Sequence, residues 1–351
     1  MSLTNAELAE LLARQSESES GILVRAFRRA ARNALSWPES AAALIAQNHS
    51  LLELRGIGPF IEKWIRGWIN NSKRVSGKIP LLRRDFVSLA DARAFLKKNP
   101  AWGKNLRGDL QMHTQWSDGS GTVAEMATAG NERGYEYIAI TDHSKGLKIA
   151  GGIDEANLRA QGREITAANK SISRCAESLI VLRSIEMNLN PRGEGDMNSR
   201  SLSGLDLVLG SFHSALRVTG DQTERYVAAL RNPHIQILGH PRGRIYNFRL
   251  GLRADWRRVF AEAAKLDKAL EIDCYPDRQD LNVGLLKLAR AEGTRISLGT
   301  DAHHPWQLEF IHLGLAAAMR AKIPADRIVN FMTVQALRNW VAGVRDGSRQ
   351  R

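Results

Sequence analysis

Apolar residues recur at three- and four-residue spacing through residues 5–15, 22–34, 41–47 and 60–69, with no alternating run between them. That period predicts a small all-helical domain over residues 1–71. Residues 72–107 mix Gly, Pro and basic side chains around one helical stretch at 89–97, the texture of a basic linker. Beyond residue 108 the pattern changes. Short apolar runs at 109–113, 137–141, 179–182, 205–210, 235–238, 269–273 and 295–299 alternate with amphipathic segments at 123–133, 155–178, 223–230, 255–265, 284–291 and 307–318. This alternation predicts about seven βα units around a parallel α/β sheet or barrel over 108–340, followed by a polar tail at 341–351.

In folds of this type the chemistry gathers at the carboxyl ends of the strands. Those positions hold His113 and Asp118 in DLQMHTQWSDGS, His143 in IAITDHS, Glu186 in RSIEMN, His213 in GSFHS, His240 in LGHPRGR, and Asp301 with His303 in LGTDAHH. Five of the nine histidines therefore fall just past an expected strand. Imidazole and carboxylate together suit Zn, Mn or Fe, whereas an all-oxygen cage for Ca is not offered. Eight side chains are too many for one ion. Several ions sharing a carboxylate would lower the pKa of a water and neutralise both the attacking and the leaving oxygens of a phosphoryl group, which points to phosphoester hydrolysis. Arg242, Arg244 and Arg278 also lie just past strands. Any one of them is more simply a structural salt-bridge partner, but guanidinium forks as a set fit phosphate oxygens.

The length of 351 residues suits two domains, or one barrel with an appendage. At 43% hydrophobic and 25% charged, with no low-complexity tract, the chain reads as globular. No apolar stretch has the roughly 18 residues of a membrane span, and the polar start, with Glu7 and Glu10, is unlike a signal peptide. Two cysteines, Cys175 and Cys274, can build neither a disulfide framework nor a thiolate zinc site, so the cytoplasm is the expected compartment. The net charge is +13, and residues 1–107 hold 18 basic against 9 acidic side chains. A basic module joined to a nearly balanced one predicts attraction to a polyanion. Within it Gly56-Ile57-Gly58 separates two helical patterns and is flanked by Arg55, Lys63 and Arg66. Glycines there would let backbone amides approach a phosphate at a helix N-terminus. Trp64 and Trp68, four apart, are expected to pack the helical core.

DLQMHTQWSDG, ITDH, SFHS, GHPRGR and TDAH at these spacings resemble the PHP (polymerase and histidinol phosphatase) superfamily. With Gln111 in the first motif, the form is similar to the PHP domain appended to bacterial family X DNA polymerases. LLELRGIGPFIEKWIRGWI resembles a helix-hairpin-helix, and LVRAFRRAARNAL resembles the helix that opens the small N-terminal domain of family X enzymes. The resemblance implies a distorted (β/α)7 barrel with a trinuclear site. One ion would be held by His113, Glu186 and Asp301, with Gln111 where many members have a second His; another by Glu186, His213 and His240; a third by Asp118, His143 and His303. Glu186 would be the bridge, and Glu186, His213 and Asp301 the centre of catalysis. An amide is a weaker ligand than imidazole, so two or three divalent ions are expected. His304 has no matching role, and His49, His234 and His312 read as structural or surface. Lys63 is the main candidate for the lysine of a family X lyase, but no lyase activity is assigned.

Only about 36 residues stand where a polymerase would carry its palm and fingers, so polymerase activity is not expected. The expected function is a metal-dependent phosphodiesterase or phosphomonoesterase acting on DNA, at 3′ ends or abasic sites, as in repair. A helix-hairpin-helix domain would hold the DNA backbone without reading its sequence. Two alternatives are a small-molecule phosphatase of the PHP type and a DNA-binding accessory protein with a degenerate metal site. The physiological metal, exonuclease polarity and oligomeric state are not legible.

Overall fold

The computed structural model describes residues 2–174 and 179–349. The N-terminal domain is built of α1 (Asn5–Glu17), α2 (Gly21–Ser36), α3 (Ala41–Ala46) and α4 (Pro59–Asn70). The Thr4 hydroxyl accepts the Glu7 amide while the Glu7 carboxylate accepts the Thr4 amide, a capping box that starts α1. Leu8, Leu12, Phe27, Ala31, Leu35, Trp37 and Ile65 pack its core. Trp64 meets Phe27 and Trp68 at ring separations of 5.7 and 5.6 Å, so this aromatic pair belongs to the core as expected.

The second domain contains β1 (Gly108–Asp109), β2 (Tyr137–Ile140), β3 (Ile180–Arg183), β4 (Glu186–Asn188), β5 (Leu209–Ser211), β6 (Ile237–Leu238), β7 (Ala269–Asp273) and β8 (Arg295–Gly299). Every pairing is parallel: β1 to β2 to β3, and β4 through to β8 in sequence order. The bridge between His143 and Glu186 joins the two groups, and that between Met112 and Ala302 carries β8 back to β1. Because β3 and β4 are one path broken at Ser184-Ile185, the pairings close a barrel of seven strand positions. Tyr137, Leu182, Leu209, Ile237 and Ala269 pack together inside it, while Ile138, Leu270, Ile296 and Leu298 pack outward against the helices, which include Val123–Glu132, Thr223–Arg231, Trp256–Lys265 and Ile311–Arg320. No helix among the described residues is long and apolar enough to cross a membrane.

Several elements differ from the sequence pattern. The helix expected over 155–178 is observed as Glu155–Arg174, and the rest of that span, with Cys175, lies outside the described residues. The helix expected at 307–318 opens instead as a 3-10 turn, Pro305–Phe310, because Pro305 sets the first turn. Residues 341–349 are not a polar tail. They continue the helix Val334–Arg349, whose Trp340, Val341 and Val344 pack against Leu207 and Ile237 under the barrel.

The segment 72–107 is not a spacer but a strap bound to both domains. Arg83 lies 2.8 Å from Glu10 and 2.5 Å from Glu17, and donates to the Asn247 side chain at 3.0 Å. The helix α5 (Leu89–Lys97) sends Leu89, Ala92 and Leu96 into the barrel's core, and Tyr246 of the barrel enters the core of the helical domain. No strand occurs among residues 72–107, so nothing like a polymerase palm stands between the domains.

Candidate metal centre

Strand termination places the site. The loops after β1, β2, β5, β6 and β8, together with Glu186 in β4, bring the eight His and carboxylate positions into one cluster at the carboxyl end of the barrel. Glu186, at the start of β4, is fully buried at its centre. Its Oε2 lies 2.9 Å from His143 Nδ1 and 3.5 Å from His113 Nε2, and its Oε1 lies 2.6 Å from His240 Nε2 and 3.3 Å from His213 Nε2. Asp301 Oδ1 lies 3.0 Å from His113 Nε2. On the open side Asp118 Oδ1 lies 3.3 Å from His303 Nε2 and 3.6 Å from His143 Nε2. The imidazole of His113 stacks on those of His143 and His303 at 4.3 and 4.4 Å.

Ligand atoms of His113, Asp118, His143 and His303 all lie within 4.8 Å of one another, as do those of His143, Glu186 and His213. The grouping differs from the partition the resemblance implies, since His113 sits with the Asp118 group and His143 is common to both. These residues fit divalent cations. His143 Nδ1, Glu186 Oε2 and His213 Nε2 face one another, buried and without a well-aligned hydrogen-bond partner in the protein, a cost that a shared cation would remove. The backbone is strained at two residues of the cluster: His240 has φ 23° and Asp301 φ 53°. Gly119 is required for another reason, because a Cβ there would lie 2.4 Å from the His113 carbonyl oxygen and push the Asp118 loop away.

Charge in the cluster is strongly biased. Burial would raise the Glu186 carboxyl, but His143, His240 and His213 overcome it and hold it well below the usual range. Burial likewise opposes ionisation of Asp301, yet the His113 bond and the Arg278 charge hold it low. His240 overcomes its own burial through Glu186 and rises to about 10, while His113 is lowered by burial and by the neighbouring imidazoles. A buried anionic centre ringed by imidazoles, whose protons a divalent ion would displace, is the electrostatic complement of bound cations.

Gln111 is not brought into the cluster. With its nitrogen facing the carboxylate, its amide donates to Glu271 Oε1 at 2.7 Å and Oε2 at 2.9 Å. Glu271 also accepts the His240 backbone amide at 2.7 Å, so this pair braces the floor of the site. Arg278 does reach it: its Nη1 lies 3.7 Å from Asp301 Oδ2, and its Nε lies 3.9 Å from Asp277 Oδ1. Arg244 is committed elsewhere, donating to the Arg278 and Asp85 carbonyls at 2.7 and 2.9 Å and lying over the Phe86 ring. Arg242 donates to the Leu250 carbonyl and faces a neighbouring groove.

In the helical domain Gly56 has φ 74° and is pressed against the Asn33 amide, while Gly58 caps α4 in open space. Lys63 is exposed, whereas Arg66 is tied to Glu62 and the His49 carbonyl. Arg55 reaches the barrel, its guanidinium 3.8 Å over the Trp306 ring. The sequence pattern placed Asp142 at a strand end without a role and did not single out Asn188 or Glu271, yet all three position the cluster. Asp142 accepts from Thr114, Ser117 and Gln161 and so holds the loop carrying Asp118. Asn188 lies 3.1 Å from His213 Nδ1 and sets that ring. Asp142, beside His143 in ITDH, carried a signal in its position; Asn188 and Glu271 carried none beyond lying in strands.

A closed parallel barrel with a buried imidazole and carboxylate cluster over its strand ends defines the class as a hydrolase of phosphoric esters. The chain belongs to the PHP domain family, whose model matches residues 109–273. It is 35% identical over 226 residues to the DNA polymerase/3′-5′ exonuclease PolX of Bacillus subtilis (strain 168), covering 64% of this chain and 39% of that protein. It is 32% identical over 194 residues to the probable phosphatase PBPRB2022 of Photobacterium profundum, covering 52% of this chain and 72% of the relative. Among solved structures, histidinol phosphate phosphatase from Lactococcus lactis subsp. lactis Il1403, in complex with zinc, L-histidinol and phosphate, is 18% identical with a TM-score of 0.44, over 62% of this chain and 94% of that one.

Proposed function

We propose that this protein is a metal-dependent phosphoesterase that acts on DNA, processing 3′ ends or cutting at abasic sites in repair. The observation that carries this is the seat of the basic helical domain at the rim of the cluster, where Arg55 lies over Trp306, three residues beyond His303. The exonuclease named in the B. subtilis relative, of which this chain spans 39%, supports the same substrate class.

Divalent ions held by His113, Asp118, His143, Glu186, His213, His240, Asp301 and His303 would supply an activated water and neutralise charge on the transferring phosphoryl group. The protein does the rest. Glu186 supplies the central negative charge. Arg278, paired with Asp301 and Asp277, is placed to donate to a non-bridging phosphate oxygen. Asn188 and the Glu271–Gln111 pair hold His213 and His240 in register, and Asp142 holds the Asp118 loop. Gly56 to Gly58 and Lys63 would grip the DNA backbone beside this centre.

The test is a comparison of kcat/KM on 3′-phosphate, abasic and intact DNA against a free phosphate monoester, with Zn, Mn or Fe added in turn. DNA turnover should exceed that of the monoester by orders of magnitude, and Lys63→Gln should raise KM for DNA alone. Equal kcat/KM on both substrates would make the protein a small-molecule phosphatase, and no turnover of either would leave a DNA-binding accessory protein.

A further inference from the structure

Arg84, Arg217, Arg242, Arg244, Arg249 and Arg253 line one open groove of about 500 Å³. Its walls are residues 81–86 of the strap, the 216–219 loop that follows His213, and the 242–253 loop that follows His240. Asp85 is the single carboxylate on that lining, and its Oδ2 accepts from Asn282 at 3.4 Å. Among the described residues none of the six arginines forms an ion pair with a carboxylate. Asp280 lies behind the wall, where it accepts the Arg242 backbone amide at 2.7 Å. Arg244 Nε donates to the Arg278 carbonyl at 2.7 Å. The guanidinium charge therefore continues from the groove to the metal cluster, where Arg278 meets Asp301.

Such a concentration of like charge is costly unless a polyanion occupies it, and planar guanidinium groups match phosphate oxygens. The groove also holds a feature that phosphate alone does not explain. Ile245 and Arg249 exchange backbone hydrogen bonds of 2.9 Å, closing a tight turn that presents Phe248 with 54% of its surface exposed. Tyr246 of the same turn is buried edge-on against Phe86 of the strap at 5.1 Å, so the platform is fixed. Arg217 lies 4.5 Å over the Phe248 ring, and Val218 and Leu250 extend the apolar rim. An exposed aromatic ring in a basic groove is a stacking surface for an unpaired base, which a duplex cannot offer.

We propose that this groove is a track for single-stranded nucleic acid, Arg217, Arg249 and Arg253 holding successive phosphates and Phe248 a base, that leads the strand towards the metal cluster. This deepens the phosphoesterase reading and rests on it for the direction of the strand. Its test is of binding, so that failure of the groove and failure of hydrolysis give different results.

The full-length protein, as purified and with no divalent ion added, is titrated with a fluorescent oligothymidylate and with a blunt duplex of equal length over a range of salt. The wild type should prefer the single strand. Arg217→Gln with Arg253→Gln should reduce the slope of log affinity against log salt by about 1.4, two phosphate contacts at about 0.7 each. Arg231→Gln with Arg257→Gln, the same loss of charge on the outer helices, should leave the slope unchanged. Phe248→Ala should weaken single-strand binding about fivefold or more and erase the preference, and Phe248→Tyr should restore it. An unchanged slope in the Arg217/Arg253 variant would overturn the proposal. So would equal wild-type affinity for duplex and single strand, or equal loss of both in Phe248→Ala.

Discussion

The guanidinium of Arg55 lies 3.8 Å over the ring of Trp306, and this contact fastens the helical hairpin to the loop that also carries His303. Trp306 is itself braced edge-on by Phe310 at 5.2 Å. Since the two partners come from different domains, their interaction is a direct measure of how firmly the domains are joined. A double-mutant cycle of Arg55→Ala and Trp306→Leu should return a coupling of about 0.5–2 kcal/mol in chemical denaturation. Zero coupling would mean that the strap and the buried Tyr246 hold the domains together without it.

Glu186 makes four approaches to imidazole nitrogens, more than any other residue of the cluster. Glu186→Gln keeps the shape but removes the charge that offsets the cations. Phosphoesterase turnover should fall by at least about 100-fold and bound metal should drop, with the far-ultraviolet circular dichroism of the metal-free protein unchanged. Metal content and turnover near wild type would remove Glu186 from its central position.

Because the Gln111 amide is turned to Glu271, its loss should be felt first as stability. Gln111→Leu leaves a buried carboxyl without one of its donors and should cost about 1–3 kcal/mol. Metal retained after dialysis against a chelator should stay close to wild type, whereas His113→Ala should lose most of it. Metal loss in Gln111→Leu equal to that in His113→Ala would return Gln111 to the ligand set.

Lys268 is buried with the Asn232 carbonyl as acceptor at 2.5 Å, and burial lowers its pKa to about 7. Below pH 7 the ammonium is charged in folded and unfolded chains alike, and the burial cost is fully present. Between pH 7 and the unfolded value near 10.5 the unfolded chain binds more protons, so this group makes stability rise with pH. Lys268→Met lacks that rise. The stability difference between variant and wild type should change by a few kcal/mol between about pH 6 and about pH 9.5, as measured by urea unfolding. An offset that is constant with pH would show that the amine is solvated.

That the cluster's side chains share one face was legible because two regularities coincide. Strands of a parallel barrel end on one face, and His113, His143, Glu186, His213, His240, Asp301 and His303 each stand at or just beyond an apolar run, so the period alone assembles them. The helical domain was legible for the same local reason, a three- and four-residue spacing that buries Leu8, Phe27 and Ile65.

What the pattern could not give depends on partners far away in sequence. Arg83 reads as one more basic residue of a linker until Glu10, 73 positions earlier, and Asn247, 164 later, are brought to it. Trp340, Val341 and Val344 read as the end of a chain until the underside of the barrel offers them a surface. Arg244 and Arg278 stand in similar loops, and only packing decides that the first supports the loop while the second faces Asp301. Hydrophobic periodicity is set by each element's own geometry and is therefore written locally. The choice of which polar group is paired, braced or left facing the site is made by desolvation, and desolvation exists only once distant segments have closed over it.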